Sequence, residues 1–391
     1  MQSRFYSHLN SAVRLCSTYD GLVPIAVYLK KYFSENKKFG SKDRKQISHL
    51  CYCFFRLGKL ILNSSTEEKV LVGLFLCSTE SNELLAALKP NWNEKVGLSF
   101  DQKISFLNLS ISFNDIFPWK EELSEDIDFE KYAESFLVQP DLFIRIRPGC
   151  NEKIIEKLDE LKVKYELIPP FSIRLPNSFR VDLYFDLDKD VVIQDYNSQQ
   201  TSRLIQDGIS KLNSETTFWD CCAGSGGKSI MAFDINPKIN STVSDVRKSI
   251  LENLKQRFRV AEIVDYHSFV SDLTKPPKST DKKYNFILAD VPCTGSGTWS
   301  RTPEQLYYFE KDKIEYFASL QRKIVSNAAA QLATEGYFLY STCSIFKEEN
   351  EQIVKFIQEK FNLQLVKTEF LKGYEIKADT LFAALFTSSK V

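Results

Sequence analysis

Phe218-Trp219-Asp220-Cys221-Cys222-Ala223-Gly224-Ser225-Gly226-Gly227-Lys228-Ser229 links an apolar, β-prone run to a run with helical spacing. The loop between them is rich in glycine, and its spacing decides which ligand it suits. Gly227-Lys228-Ser229 looks like the end of a P-loop, but that motif needs a glycine five residues before Gly227, where Cys222 stands. A dinucleotide-binding loop needs its third glycine at position 229, which is Ser. What fits is an acidic residue followed four and six positions later by glycine: Asp220, Gly224 and Gly226. Glycine lets a backbone approach a ligand where a Cβ would collide. A generic tight turn is the competing reading of the same residues.

Outward from this loop the chain alternates. Strands are expected over 217–222 and 241–245, before Asp272, and over 284–289 and 336–340. Helices are expected from 228 and over 246–258, 311–333 and 347–360, with two late strands near 363–369 and 380–386. Such alternation implies an α/β, doubly wound, mostly parallel sheet, whose chemistry lies beyond the carboxyl ends of its strands. The Asp220–Gly226 spacing resembles the nucleoside-binding loop of S-adenosylmethionine-dependent methyltransferases. Asp245 and Asp272 fall at the next two strand ends, where the first can accept both ribose hydroxyls and the second can reach an adenine amino group. A helix N-cap is the ordinary alternative for either.

Two cysteines stand at later strand ends, in Ala289-Asp290-Val291-Pro292-Cys293-Thr294-Gly295-Ser296-Gly297 and in Tyr340-Ser341-Thr342-Cys343-Ser344. A thiolate at such an edge suggests covalent catalysis on a carbon electrophile. A second thiol beside an Asp suggests a helper that turns the covalent step over.

Composition narrows the classes. The 391 residues carry 51 basic and 51 acidic side chains, so no global charge argues for nucleic acid and any RNA contact must be local. Nine cysteines in no disulfide-framework spacing, with no signal-peptide pattern, suit a reducing cytoplasm. Cys51-Tyr52-Cys53 lacks a second pair and the chain has three His, so no metal site is expected. No apolar run reaches membrane-spanning length.

Ahead of the alternating part lie two other stretches. Residues 1–127 read as helices, with Phe5, Leu9, Val13 and Cys16, then Ile47, Leu50, Cys51, Phe54 and Phe55, at helical spacing. A run around Asp115, Glu121, Glu122, Glu125, Asp126, Asp128 and Glu130 reads as a solvated connector. Residues 128–198 mix short strands with an amphipathic helix over 151–162. Arg145, Arg147, Arg174 and Arg180 there could contact a phosphate backbone or form a solvated sheet face.

Asp220 to Lys228, Asp290-Val291-Pro292-Cys293 and Ser341-Thr342-Cys343-Ser344 together resemble the RNA cytosine-C5 methyltransferases of the Sun/Fmu type. Two departures stand out: Gly224-Ser225 where the family has Ala-Pro, and Thr294 where it has Ser. The last motif is intact through Glu348, Glu349 and Asn350, and Gln194-Asp195-Tyr196-Asn197-Ser198-Gln199 is similar to the family's lead-in segment. Arg301-Thr302-Pro303-Glu304 is similar to the segment after the Pro-Cys motif, where Arg301 could hold a phosphate or make a surface ion pair.

The resemblance implies a Rossmann-like methyltransferase domain over 199–391, preceded by a small αβ RNA-binding module over 128–198 and an all-α domain over 1–127, weakly NusB-like. It implies S-adenosylmethionine bound by Cys222, Ala223, Gly224, Ser225, Gly226, Gly227, Lys228, Asp245, Asp272 and Asp290. Chemistry alone leaves open which cysteine adds to cytosine C6. The resemblance makes Cys343 the nucleophile and Cys293 the helper in product release. Asp290 would contact N3 or the exocyclic amine of the base, and Lys228 would orient the base or favour a thiolate. Attack on C6 needs a base out of its stack, so single-stranded or flipped cytosine in RNA, first of all ribosomal RNA, is the expected partner. A cytoplasmic monomer is expected, with no membrane and no metal. No RNA-binding extension is expected after the last strand, which leaves the substrate undecided. Transfer RNA is the alternative substrate. A catalytically weak RNA-binding assembly factor is the alternative class, against which intact Cys293, Cys343, Asp290 and Lys228 speak.

Overall fold

A computed structural model describes residues 2–60, 63–212, 216–276 and 282–388. They form two units: one of residues up to 123 with 127–139 and 298–311, the other of 124–126, 140–297 and 312 onward. The division differs from boundaries at 127 and 198. Residues 127–139 and 298–311 go with the helices, and the small αβ sheet goes with the large one.

The first unit is helical. Leu9, Cys16, Ile47, Leu50, Cys51, Phe54 and Phe55 are buried there, as the helical spacing requires. Ser65 caps the helix Thr66–Cys77 by accepting the Glu68 N–H at 3.2 Å. Gly73 lets that helix close onto Ser41–Phe55, since a Cβ there would come within 2.4 Å of the Cys53 carbonyl. The segment 298–311 is a structural part of this unit. Glu304 accepts the Ile25 N–H at 3.2 Å and so caps the helix Ile25–Glu35, whose own N-cap residue, Pro24, has no side chain to offer. The acidic run is not simply a solvated connector: Glu122 pairs with Lys311 at 2.6 Å, and Asp128 caps the helix Phe129–Ser135.

The second unit holds both sheets. The smaller runs in the order β2-β3-β1-β4, with β1 Leu142–Ile146, β2 Glu166–Ile168, β3 Ser172–Leu175 and β4 Val191–Ile193. Its contacts between neighbours are antiparallel. One face buries Ile144, Ile146 and Ile173 against Ile154 and Leu158 of the helix Asn151–Glu160. Because strand side chains alternate, Arg145 takes the other face, and there the expectation of a phosphate-binding or solvated surface fails for two of the four arginines. Arg145 Nη1 lies 2.5 Å from Asp234 Oδ2 and Arg147 Nη2 lies 2.8 Å from Asp234 Oδ1; Arg145 is buried and the Asp234 side chain is largely covered. A buried guanidinium needs a carboxylate, and Asp234 is already committed to two. Arg174 pairs with Glu166, and Arg180 with Asp182. The lead-in segment does structural work here: Gln194 accepts from Arg145 Nε at 3.0 Å, and Asp195 caps the helix Tyr196–Gln200.

The large sheet has seven strands in the order β10-β11-β9-β8-β5-β6-β7. These are β5 Thr217–Asp220, β6 Asn240–Asp245, β7 Tyr266–Val270, β8 Tyr284–Asp290, β9 Leu332–Thr342, β10 Leu363–Leu371 and β11 Leu381–Ser388. The pairs among β5 to β9 are parallel, and β11 is antiparallel to both β9 and β10. Helices cover both faces. Ile230, Leu251, Leu254 and Phe258 pack on one side; Ile324, Val325, Ala328, Ile353 and Ile357 pack on the other. This is the expected doubly wound sheet, with the order reversing between β5 and β8, where a crevice forms beyond the strand ends. Among the described residues no helix is long and apolar enough to cross a membrane.

Candidate active site

Every motif singled out above for chemistry, apart from the Arg301 segment, emerges at the carboxyl edge of β5, β6, β7, β8 or β9. After β5 the chain turns through Gly224, at φ +53°, and Gly226, at φ +86°, into the helix Gly227–Ile235. The two glycines do different work. A Cβ on Gly226 would strike Phe258 at 2.9 Å and Leu254 at 3.0 Å, so this glycine lets the loop close on the helix Lys248–Val260. A Cβ on Gly224 would meet nothing within 4 Å, because this residue faces a cavity.

That cavity has a volume of about 540 Å³, and Cys222, Gly224, Asp245, Asp272 and Asp290 all line it. Its apolar wall is Pro292 with Leu320 and Ile324 from the helix Asp312–Ala329. Apolar walls with a few convergent carboxylates make a site for a mid-sized polar ligand. The other residues expected to bind the cofactor stand elsewhere. Ala223 packs into the core, and Ser225 is exposed and accepts from Arg257. Gly227 opens its helix, and Lys228 faces Asp290.

Asp245 Oδ2 accepts the Gly224 N–H at 3.0 Å, and Oδ1 accepts the Arg247 N–H and Nε at 2.9 and 3.0 Å. Burial alone would raise its pKa, but the hydrogen bonds from Arg247 outweigh burial and hold the carboxyl below its usual range. Asp272 lies just past β7. Thr274 and Lys275 bond its carboxylate and lower it likewise. Asp220 is different: it is buried behind the loop, takes a 2.6 Å hydrogen bond from Ser229, and is pushed up to about 7 by burial.

Past β8 and β9 the site turns to thiols and charges. Lys228 Nζ lies 2.7 Å from Asp290 Oδ2, while Ser341 Oγ donates to Asp290 Oδ1 at 2.7 Å. Burial presses the Lys228 pKa down, but attraction to Asp290 and then to Cys343 overcomes it and the net shift is upward. The neighbouring Cys343 thiol, then burial, then the charge of Glu349 push the Cys293 thiol well up. Glu349, buried completely, accepts from the Thr294 N–H at 2.9 Å, Thr294 Oγ1 at 2.6 Å, Ser344 Oγ at 2.5 Å and Gln321 Nε2 at 2.9 Å. Thr294 keeps the hydroxyl that a Ser would supply, which is why that departure is mild. The remaining thiol of the loop, Cys221, is buried in the core.

The structure brings Lys228 and Asp290 together and sets Cys293 and Cys343 in the loops after the neighbouring strands β8 and β9. Sequence reasoning missed Ser341, Gln321, Arg247 and the Leu320–Ile324 wall. The i, i+4 spacing of Leu320 and Ile324 marked one helix face, but not that it would face the ligand cavity. Among the described residues no group of His, Cys, Asp or Glu is arranged to hold a metal.

The fold is that of a Rossmann-like methyltransferase. Residues 209–386 match the family model of the 16S rRNA methyltransferase RsmB/F. Ribosomal RNA small subunit methyltransferase B from Yersinia enterocolitica is 29% identical over 259 residues, covering 59% of this chain and 58% of that protein. The protein of the same name from Xanthomonas campestris is 29% identical over 178 residues, 45% of this chain and 40% of that one. The chain spans about half the length of the curated relatives it matches. Among solved structures, PH0851 superposes with a TM-score of 0.72 at 19% identity, covering 100% of this chain and 99% of that one. NSun6 from Pyrococcus horikoshii superposes with a TM-score of 0.58 at 17% identity, covering 71% of this chain and 97% of that one. At these identities the two structures speak for the fold.

Proposed function

We propose that this protein transfers a methyl group from S-adenosylmethionine to C5 of a cytosine in RNA, with ribosomal RNA as the substrate class, through a covalent adduct with Cys343. The observation that carries the reading is the Asp290 carboxylate, which lines the cavity and is held at 2.7 Å by both Lys228 Nζ and Ser341 Oγ, on the sheet edge where Cys293 and Cys343 follow β8 and β9.

The cavity fits the cofactor. Asp245 and Asp272 are ionised acceptors at successive strand ends, Pro292, Leu320 and Ile324 offer an apolar slot, and Gly224 leaves room on its floor. Bound there, S-adenosylmethionine supplies an electrophilic methyl group. The chain's residues do the rest. The Cys343 sulfur forms a bond to C6, and the C5–C6 π electrons move onto C5, which can then take the methyl. After methyl transfer a base takes the C5 proton, the C5–H electron pair re-forms the C5=C6 double bond, and the C6–S bond breaks with its electrons on Cys343. Cys293, whose loop is tied to that of Cys343 through Glu349, assists this elimination. Asp290, held by Lys228 and Ser341, contacts N3 or the exocyclic amine of the base. Free thiols at all nine cysteines suit a reducing cytoplasm.

Bisulfite sequencing of total RNA from a deletion strain beside its parent tests this. A cytosine protected from conversion in the parent and converted in the deletion supports the reading. Identical conversion patterns contradict it.

A further inference from the structure

The two thiols sit in loops of unequal support. Cys343 directly continues β9. Its neighbours are pinned locally: Thr342 Oγ1 donates to Asn350 Oδ1 at 2.7 Å, and the Gly297 N–H donates to the Cys343 carbonyl at 2.8 Å. Cys293 lies beyond Val291 and Pro292, past the end of β8. What holds it acts on the residues either side. Gln321 Nε2 donates to the Pro292 carbonyl at 3.0 Å, and Thr294 donates twice to the Glu349 carboxylate. Gln321 also donates to Glu349, and the Tyr340 hydroxyl donates to Gln321 Oε1 and to the Glu349 carbonyl. The same carboxylate takes the hydroxyl of Ser344, next to Cys343. One buried group is thus bonded to the residue after each cysteine.

We infer that Glu349 is a positioning residue that clasps the two cysteine loops together and sets Cys293 against Cys343, so that its loss stalls release of the methylated base while leaving the covalent step in place. The inference rests on the function proposed above and adds a residue to which neither thiol's own motif points. Glu349 holds the Cys293 loop through its neighbour Thr294. Four donors converge on it and its own burial leaves no water to replace it, so an amide at this position must turn an N–H₂ toward at least one donor. One of the two Thr294 bonds is then lost or reversed in direction, which loosens one of the anchors of the Cys293 loop. Displacements of about 1 Å in such constellations cost rates on the order of 10²-fold.

The test uses the full-length protein, S-adenosylmethionine and in vitro transcribed substrate RNA, with wild type, Cys293→Ala, Glu349→Gln, Thr294→Val and Thr294→Ser side by side. Steady-state methylation and the fraction of protein covalently bound to RNA on denaturing gels are read together, with melting temperature as a folding control. Glu349→Gln and Thr294→Val are expected to lower turnover on the order of 10²-fold. The RNA-bound fraction should stay at or above wild type, as for Cys293→Ala, and Thr294→Ser should restore turnover. Parallel loss of adduct and turnover in Glu349→Gln and Thr294→Val overturns the clasp, as does wild-type turnover in both. Should Glu349→Gln fail to fold, the two Thr294 variants decide the matter alone. If wild type forms neither adduct nor product, the proposed function fails, which is a separate outcome.

Discussion

Two loops leave neighbouring parallel strands and carry one cysteine each, yet they are built differently. The Cys343 loop continues a long buried strand, whose Ser341 shares the Asp290 carboxylate with Lys228. The Cys293 loop is held from outside, by Gln321 and Glu349, and its thiol is pushed up by the Cys343 thiol, burial and negative neighbours. On the proposed function the two identical side chains take different roles from these surroundings. The lesson is that the motif Pro-Cys or Thr-Cys does not itself assign a role; its neighbours do.

Breaking the comparison most severely means removing one sulfur at a time. Cys343→Ala should abolish methyl transfer, by about 10⁴-fold or more, together with any RNA adduct. Cys293→Ala should keep the adduct and accumulate it; retained methylation in Cys343→Ala reverses the assignment. Next in size, Lys228→Met leaves Asp290 without its cation and Cys343 without its positive neighbour. Its kcat should fall by about 10²–10³-fold, with cofactor affinity measured by calorimetry little changed because the ammonium does not line the cavity.

A further contrast sharpens what the site is not. The arginines of β1 look like RNA ligands in sequence but are clamped on Asp234. Asp234→Ala should therefore cost about 3–5 kcal/mol of stability in denaturant melts, because it strands two guanidinium groups, one of them buried. The smallest effect expected is a pH dependence. Asp220 has a folded-state pKa of about 7, above that of an unfolded Asp. Its neutral form favours the fold, so this contribution is whole below the unfolded value near 4 and is lost as pH rises toward about 7. Asp220→Asn should gain in melting temperature relative to wild type between about pH 4 and 7, and a gap that is flat or shrinks over that window contradicts the burial argument.

Much of this was legible in the residues. Asp220, Gly224 and Gly226 named the loop, and strand alternation placed Asp245, Asp272, Asp290, Cys293 and Cys343 on one edge, because a doubly wound sheet puts all its strand ends there. What the sequence could not carry is long-range pairing. Arg145 with Asp234, Ser341 with Asp290, and Glu349 with Thr294 join residues whose partnership depends on how strands and helices register in three dimensions. Glu304 was visible in its motif, yet capping a helix that begins at Ile25 has no local signature. Gly226 was read as a ligand-facing glycine, and its need instead is the packing of Phe258 and Leu254.

The central claim is the asymmetry of the thiols, and peptide mapping of a trapped complex tests it most directly. RNA carrying 5-fluorocytosine, whose C5 fluorine cannot leave as a proton does, should freeze the adduct after methyl transfer. Digestion and mass spectrometry should then find the modified nucleotide on the peptide containing Cys343, with Cys293 free to react with iodoacetamide. A nucleotide on Cys293, with Cys343 free, would contradict the account.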